Sequence, residues 1–226
     1  MDPSAPKPRG RPRKTAAVRR APGRPAAADN PDLRERLLDA AIACYARQGI
    51  AATSLRAIAA EAGVNPALLH YYFGDKEQLQ QAVVGERLLP VFMSLRGSAA
   101  GEGDVFDLIG GFVAGMGRIV AAHPWLPSLW VREVLCEGGA LRESVLFQQI
   151  APALPKMMAA RFAQAQAEGK INPDLDPRLL MVSLIGLTLF PAASAPIWRH
   201  LFDADDLDLD RQRRHALALL DRGLQP

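Results

Sequence analysis

Apolar residues recur along most of this chain at the spacing of an α-helix, three or four positions apart. Alternation with a period of two, which marks a half-buried strand, is nearly absent. In the first third of the chain, one apolar stripe ends at Gly49 and comprises Leu37, Leu38, Ala41, Ile42 and Tyr45. The pattern predicts an all-α fold.

Helix-capping residues predict four helices between residues 30 and 97, of which the second and third are short and the fourth is longer. Asn, Ser, Thr and Asp side chains accept a hydrogen bond from the first turn of a helix, and proline suits the first helical position. The predicted starts are Asn30–Pro31, Thr53 or Ser54, Asn65–Pro66, and Asp75 with Gln78 in the capping-box position. Gly63 is predicted to end the second helix.

Beyond Gly97 the predicted helices are longer and more apolar. Their expected bounds are Asp104–Ala122, Pro124–Glu137, Leu141–Glu168 with a kink at Pro152 and Pro155, Pro177–His200, and Leu207–Leu220. The predicted organisation is a disordered basic arm over residues 1–29, a three-helix domain with a helix-turn-helix over 30–76, and a larger helical domain over 77–226.

The third predicted helix, PALLHYYF, has two distinct faces. Successive residues of an α-helix are about 100° apart, which puts Leu69 and Phe73 together on the side that faces the core. The opposite side and its flanks carry Ala67, Leu68, His70 and Tyr71. A short helix that presents such a face after a tight turn is suited to the major groove of DNA.

The positive charge of the chain is concentrated at its N-terminus. Residues 1–28 hold eight Lys or Arg side chains and one acidic side chain, a net charge of +7, whereas the whole chain carries only +3. A basic stretch rich in Pro and Gly is typical of a disordered arm that binds polyanions, and an inert solubilising tail is the alternative. The GRPRK stretch resembles the core of an AT-hook and predicts minor-groove contacts through Arg9, Arg11, Arg13 and Lys14.

Two observations favour a cytoplasmic protein without a membrane partner. Cys44 and Cys136 lie in apolar helical surroundings, as reduced core cysteines do. Residues 179–198 form an uncharged stretch that is long enough to cross a bilayer. Pro191, Pro196 and several small residues interrupt it, so we expect burial against another helix.

Side chains around the third helix suit contacts with DNA phosphates. The Thr53 hydroxyl, the Arg56 guanidinium, the Tyr71 phenol and the Lys76 ammonium group can all bind phosphate oxygens. The free amides behind Asn65 add the positive end of a helix dipole. Plain solvated charges are the alternative for Arg56 and Lys76.

Residues 34–79 resemble the DNA-binding domain of the TetR (tetracycline repressor) family. The shared features are LLDAA in the first helix, Gly49, the Thr53–Ser54 pair, IAAEAGV over residues 58–64, the Leu69 to Phe73 frame and the Lys76–Glu77 pair. The resemblance implies that Thr53, the start of the third helix, its aromatic pair and Lys76 touch DNA. It also implies a helical C-terminal domain that binds a small molecule and dimerises through its last two long helices.

The full set of predicted DNA-binding residues is Thr53, Arg56, Asn65, Pro66, Ala67, Leu68, His70, Tyr71 and Lys76. His70 stands where the family most often has tyrosine, and a surface histidine without a role is the alternative. Ala67 and Leu68 cannot hydrogen-bond bases, so thymine methyl contacts, Arg56 and DNA shape would have to provide specificity.

Aromatic and methionine residues are concentrated in the C-terminal half, where an apolar ligand cavity is expected. Its predicted lining residues are Phe106, Met116, Trp130, Arg132, Glu133 and Phe147. Arg132 and Glu133 stand out in an otherwise apolar helix, and would either fix a polar group of the ligand or form structural ion pairs. The predicted dimer interface comprises Leu184, Gly186, Leu187, Leu217 and Leu220.

The sequence therefore predicts a ligand-responsive, sequence-specific regulator of transcription. We expect a homodimeric repressor that an unidentified small-molecule effector releases from a palindrome in double-stranded DNA, because one recognition helix reads only a few base pairs. A sequence-neutral architectural DNA-binding protein is the alternative. The four histidines lack metal-ligand spacing and no nucleophile or phosphate-loop motif stands out, so no enzyme activity, cofactor or metal is predicted.

Overall fold

The computed structural model describes residues 31–99 and 103–226, and every regular element within those two ranges is helical. The prediction of an all-α fold is confirmed. The head consists of one long helix and three short ones: α1 (Pro31–Gln48), α2 (Leu55–Ala62), α3 (Pro66–Phe73) and α4 (Lys76–Val83). The body follows with α5 (Leu89–Ser98), α6 (Val105–Ala122), α7 (Leu126–Trp130), α8 (Ala153–Ala167), α9 (Pro177–Ala193), α10 (Ala195–Phe202) and α11 (Leu209–Leu224).

Capping side chains begin the head helices as predicted. Ser54, Asn65 and Asp75 each accept a hydrogen bond from a backbone N–H in the first turn of the helix that follows. Gly63 ends α2 with a φ of 68°, a left-handed conformation that glycine adopts without steric cost. Asn30, predicted to begin α1, lies outside the described residues.

Two buried apolar clusters hold the molecule together. One joins α1 to α4 and also takes in Leu129, Leu141 and Leu146 from the body, so head and body share packing. The other lies between α5, α6, α8, α9 and α11. By length and composition α6 could cross a membrane, but nine of its residues are buried inside the body. It is the central helix of the larger cluster.

Helix α9 ends earlier than predicted. The sequence pattern indicated one helix over Pro177–His200, but α9 stops at Ala193 and α10 leaves it at an angle of 73°. Pro196 favours the break: it lies in the first turn of α10, where its missing backbone N–H would have no partner within the helix. At the break, the Phe190 carbonyl accepts two hydrogen bonds from Ser194, one from its backbone N–H at 2.9 Å and one from its hydroxyl at 2.8 Å.

The predicted helices between residues 124 and 152 are also replaced by shorter elements. Wide π-helical turns occupy Val131–Leu135 and Leu146–Ile150, with a 3-10 turn at Ala140–Glu143 between them; a third π-helical turn, Val84–Leu88, joins α4 to α5. In the turn over Val131–Leu135, the Cys136 N–H donates to the Val131 carbonyl, five residues earlier, at 2.9 Å, and the helical segment ends at that point. Cys44 is buried as predicted, but Cys136 is exposed, so its prediction as a core residue is wrong.

Candidate nucleic-acid interface and effector cavity

The two faces of α3 lie as the helical wheel predicts. Leu69 is fully buried and Phe73 is nearly so, and together they hold the helix against α1 and α2. On the outer side, Leu68 is half-buried, and the exposed residues are Asn65, Pro66, Ala67, His70 and Tyr71. Tyr71 is 53% exposed, which is unusual for so large an apolar ring and is consistent with a partner surface.

One ring nitrogen of His70 makes a hydrogen bond within the head, and the other is available to a partner. Its Nδ1 lies 2.7 Å from the carbonyl oxygen of Gly74, just after the end of α3. Because a carbonyl oxygen only accepts hydrogen bonds, Nδ1 must carry the hydrogen in this contact. Nε2 is left to accept a hydrogen bond in the neutral ring or to donate one in the protonated ring.

The prediction that the Thr53 hydroxyl binds a phosphate is wrong. Thr53 is only 1% exposed, and its hydroxyl donates to the carbonyl oxygen of Gly49 at 2.6 Å. Its single hydrogen is therefore used inside the loop between α1 and α2, residues 49–54, hereafter the α1–α2 loop. The adjacent Ser54 takes the capping position, with its Oγ accepting from the Ala57 N–H at 3.1 Å.

Two predicted phosphate-binding cations lie at the edge of the head. Arg56 is exposed on α2. Lys76 is half-buried at the start of α4, and its Nζ donates to the carbonyl oxygen of Ala51 at 2.8 Å. An ammonium group has three donors, so this bond leaves two for another acceptor.

Ion pairs fasten α1 to the π-helical turn between α4 and α5. Arg34 binds the Glu86 carboxylate with both terminal nitrogens, and the second contact, Nη2 to Oε1, is 2.7 Å. This pairing lowers the pKa of the Glu86 carboxyl below its ordinary value. Arg87 in the same turn reaches back to Glu35 at 2.7 Å and to Asp39 at 2.8 Å. Movement of this turn would therefore be transmitted to the first helix of the head.

Glu133 forms a second connection between body and head. The residue is 4% exposed; its Oε1 accepts from the backbone N–H of Ile50 at 2.8 Å, and its Oε2 from the N–H of Ala140 at 2.9 Å. A Cβ on Gly49, whose φ is 88°, would lie 3.0 Å from the same Oε1, so glycine leaves room for the carboxylate. The predicted roles of Glu133 as a ligand contact or an ion-pair member are wrong. Arg132 is exposed and lies outside the cavity wall.

An apolar cavity of about 340 Å³ lies inside the body. Of the predicted lining residues, Met116, Trp130 and Phe147 are in its wall, whereas Phe106 lies elsewhere, partly exposed beside α11. The complete wall comprises Val91, Phe92, Leu95, Phe112, Met116, Ile119, Leu126, Trp130, Phe147, Ala151, Pro152, Leu154, Pro155, Met181, Ile185 and Leu189. The wall residues that the sequence did not indicate come mainly from α5, α8 and α9, and are of the same types as core residues.

Two of the predicted dimer-interface residues are buried within the protomer. Leu184 is completely buried and Leu220 is 7% exposed, so the prediction is wrong for both. Leu187 and Leu217 are half-buried, and Gly186 is exposed. Gly186 instead belongs to an exposed stripe on α9, at helical spacing, that comprises Leu179, Val182, Gly186 and Phe190.

The predicted arm contacts at Arg9, Arg11, Arg13 and Lys14 lie outside the described residues. Among the residues that the structure does describe, no group of three or more His, Cys, Asp or Glu side chains is arranged to hold a metal ion.

Two family models match the chain. One, described as bacterial regulatory proteins of the tetR family, matches residues 37–83, which run from α1 to the end of α4. The other, described as a tetracyclin repressor-like C-terminal domain, matches residues 109–221 and hence half of the chain.

Curated relatives include repressors of transcription. The HTH-type nicotine-responsive transcriptional repressor HdnoR of Paenarthrobacter nicotinovorans is 39% identical over 74 residues, which cover 33% of this chain and 38% of the relative. The HTH-type transcriptional repressor SCO4008 of Streptomyces coelicolor is 34% identical over 115 residues, covering 51% of this chain and 56% of the relative. The chain thus matches about two fifths of the first relative's length and little more than half of the second's.

Solved structures share the whole fold. The ketosteroid transcriptional regulator KstR2 of Mycobacterium tuberculosis superposes with a TM-score of 0.70 at 22% identity, over 88% of this chain and 98% of that one. At this identity the similarity concerns the fold alone.

Proposed function

Because this chain belongs to the TetR family of bacterial regulatory proteins, we propose that it is a cytoplasmic, homodimeric repressor of transcription. It binds a palindromic operator in double-stranded DNA and is released when a small-molecule effector occupies the body. The observation that carries this proposal is the exposed outer face of α3 above the buried Leu69 and Phe73.

The proposed DNA contacts divide between bases and phosphates. Ala67 and Leu68 face the bases, where apolar groups can pack on thymine methyls. The phosphate contacts come from Arg56, Tyr71 and Lys76, together with His70 Nε2 and the amides that follow Asn65 and Pro66. Thr53 is no longer in this set, since its hydroxyl is buried. The arm residues Arg9, Arg11, Arg13 and Lys14 are proposed to lie in an adjacent minor groove.

Dimerisation is proposed to use the exposed apolar stripe on α9. Leu179, Val182 and Phe190 are each more than 60% exposed in the protomer, and Gly186 between them permits close approach of a partner helix. Leu187 and Leu217 would lie at the margin of this interface. A two-fold interface would hold two copies of α3 about 34 Å apart, one turn of DNA.

Binding to the DNA upstream of the protein's own gene tests the proposal. We expect that fragment to bind about 10³-fold more tightly than random duplex of equal length. Equal affinities for the two DNAs would instead support a sequence-neutral architectural protein. The observation that favours this second candidate is the small number of hydrogen-bonding groups on the outer face of α3. Fluorescence anisotropy at fixed salt measures both affinities, because phosphate contacts make them salt-dependent.

Substitutions on the outer face locate the interface. Tyr71→Ala and Lys76→Ala should weaken binding to the upstream fragment while helix content and dimer mass stay unchanged. Lys156→Ala, which removes an exposed lysine on α8, is the matched control and should leave binding unchanged. Loss of helix content in Tyr71→Ala would show that the ring supports the core instead.

A further inference from the structure

The cavity in the body has no charged side chain in its wall. All sixteen wall residues are aliphatic, aromatic, proline or methionine. The indole N–H of Trp130 is the one N–H or O–H group among their side chains, and it is a neutral donor. The wall therefore provides nothing that could neutralise an ionised ligand.

Backbone groups near the cavity are also committed. Pro152 and Pro155 have no N–H to offer. The Ala151 N–H donates to the Leu146 carbonyl at 2.7 Å, and the Pro152 carbonyl accepts from the Lys156 N–H at 3.2 Å. A polar ligand that entered here would give up its hydrogen bonds to water and find few replacements.

Charged residues close to the wall in sequence do not supply a counter-charge. Three of them each adjoin a wall residue in sequence, but all three are exposed and none is in the wall: Arg96, Arg118 and Lys156. Glu133 follows Trp130 by three positions, but both of its carboxylate oxygens accept backbone N–H groups outside the cavity. Arg132 between them is exposed and lies outside the wall. An ionised ligand would be buried without a partner, which is strongly unfavourable.

Ring contacts give one part of the wall a defined shape. Phe147 packs edge-on against Phe92 with centroids 5.9 Å apart, and it lies 5.5 Å from Trp130 with the rings tilted by 49°. Such a cluster offers ring faces and edges to a flat ligand. The aliphatic part of the wall includes Met116, Met181, Ile185 and Leu189.

The volume sets the ligand size. An apolar protein cavity of about 150 Å³ holds one benzene molecule, so a cavity of 340 Å³ has room for roughly 14 non-hydrogen atoms. We propose that the effector is an uncharged, largely hydrocarbon molecule of about that size with at least one ring. This assignment of ligand class rests on the proposed function, in which an effector occupies the body.

Three probes of nearly equal size represent neutral, anionic and cationic ligands: the ketone 4-acetylbiphenyl, the anion biphenyl-4-carboxylate and the cation 4-phenylbenzylammonium. The affinity of each is measured by its displacement of the neutral fluorophore N-phenyl-1-naphthylamine from the full-length protein at pH 7.5. We expect the ketone to bind at least about 100-fold more tightly than either ion, because neither ion can be paired in the cavity. An ion that binds within about threefold of the ketone, or no binding by any probe up to its solubility, would overturn the inference.

Filling the cavity should locate the binding site. Ala151 is half-buried in the wall, whereas Ala153, two residues later, is exposed and outside it. Ala151→Phe should reduce ketone affinity at least about tenfold, and Ala153→Phe should leave it unchanged. Equal ketone affinity in both variants would place the ligand elsewhere and contradict the assignment.

A positive charge introduced into the wall should reduce the preference for the neutral ketone over the carboxylate. Phe147→Lys places an ammonium group at a half-buried wall position, and Val145→Lys, on an exposed residue outside the wall, is the control. Relative to the ketone, the carboxylate should gain at least about tenfold in the first variant only. If Phe147→Lys does not fold, as judged by circular dichroism, the comparison of the three probes on the unaltered protein still decides.

Operator binding without any ligand is measured on the same preparation. If the upstream DNA is not bound specifically while the ketone is still preferred, the repressor function fails and the ligand class stands. If the DNA is bound specifically while an ion binds as well as the ketone, the ligand class fails and the repressor function stands.

Discussion

Removal of the Glu133 carboxylate is expected to destabilise the joint between head and body. Glu133→Ala leaves the N–H groups of Ile50 and Ala140 without their acceptor. Glu133→Gln has nearly the same shape and keeps one acceptor oxygen, but its amide NH₂ is placed against the other N–H. Glu133→Ala therefore removes two hydrogen bonds, and Glu133→Gln removes one.

The structure sets the expected magnitude. A hydrogen bond to a charged group contributes about 1.5–3 kcal/mol, and the bond from Ile50 is buried whereas that from Ala140 is only partly so. Truncation also relieves the desolvation of a buried carboxylate, which offsets part of the loss. We expect Glu133→Ala to lower the free energy of unfolding by roughly 2–4 kcal/mol and Glu133→Gln by about half as much.

Chemical denaturation followed by far-ultraviolet circular dichroism measures this loss. The midpoint should fall while the denaturant dependence stays constant, with all samples at one protomer concentration because association contributes to stability. Glu137→Gln is the matched control, since Glu137 is exposed in the same segment. A Glu133→Ala midpoint that matches this control would refute the reasoning. Hydrogen exchange supplies a local readout, and the amide of Ile50 should exchange faster in both Glu133 variants.

The same carboxylate should affect the response to ligand. Trp130 lies in the cavity wall one helical turn before Glu133, which binds the α1–α2 loop of the head. In Glu133→Gln we expect 4-acetylbiphenyl to bind with unchanged affinity but to lower operator affinity less than it does in the unaltered protein. Unchanged release in the variant would show that the response travels by another route, such as the ion pairs of Arg34 and Arg87.

Three further perturbations test other parts of the structure. Thr53→Val removes the hydrogen bond to the Gly49 carbonyl and should lower the midpoint of denaturation by an amount equivalent to about 1 kcal/mol. The affinity for DNA at fixed salt should stay unchanged, whereas it would fall if Thr53 contacted a phosphate. The pKa of Glu86 is lower in the folded than in the unfolded protein, so its pair with Arg34 stabilises the protein at pH values above the unfolded pKa. This stabilisation is lost as the pH falls through the folded pKa. Both side chains are about one-third exposed, so Glu86→Gln should flatten the acid side of the stability curve by less than about 1 kcal/mol. Phe190→Asp puts a charge in the exposed stripe of α9 and should convert the dimer to a monomer in sedimentation experiments, and a persistent dimer would assign the interface to another surface.

Local chemistry explains why much of the head follows from the sequence. The starts of α2, α3 and α4 depend on side chains that bind the next turn of backbone, and those partners are only two or three residues away. The faces of α3 follow from helical periodicity, which put Leu69 and Phe73 inside and Tyr71 outside. Neither feature requires knowledge of distant parts of the chain.

Long-range features could not be obtained in this way. Glu133 accepts a hydrogen bond from the backbone N–H of Ile50, 83 positions earlier. Every residue except proline has such an N–H, so the residue type at position 50 does not reveal this contact. A charged residue in an apolar helix therefore suggested an ion pair or a ligand contact, although Glu133 connects the body to the head through backbone N–H groups. The cavity poses the same difficulty, because Met181 and Ile185 in its wall are of the same types as the buried Leu184 beside them. By contrast, the break after α9 had a local signal in Pro196.

The number of hydrogens that each group can donate decides which residues of the α1–α2 loop remain in the proposed DNA interface. Thr53 has one hydroxyl hydrogen, and the loop's own first carbonyl takes it. Lys76 gives one of three to the carbonyl of Ala51 and retains two, so it can hold the loop and a phosphate at the same time. Two backbone groups of this loop are thus held by side chains of opposite charge: the Ala51 carbonyl by the Lys76 ammonium group from α4, and the Ile50 N–H by the Glu133 carboxylate from the body. Since Lys76 lies on the side proposed to meet DNA and Glu133 follows the cavity wall, the loop between them connects the two proposed binding regions through one hydrogen bond on each side.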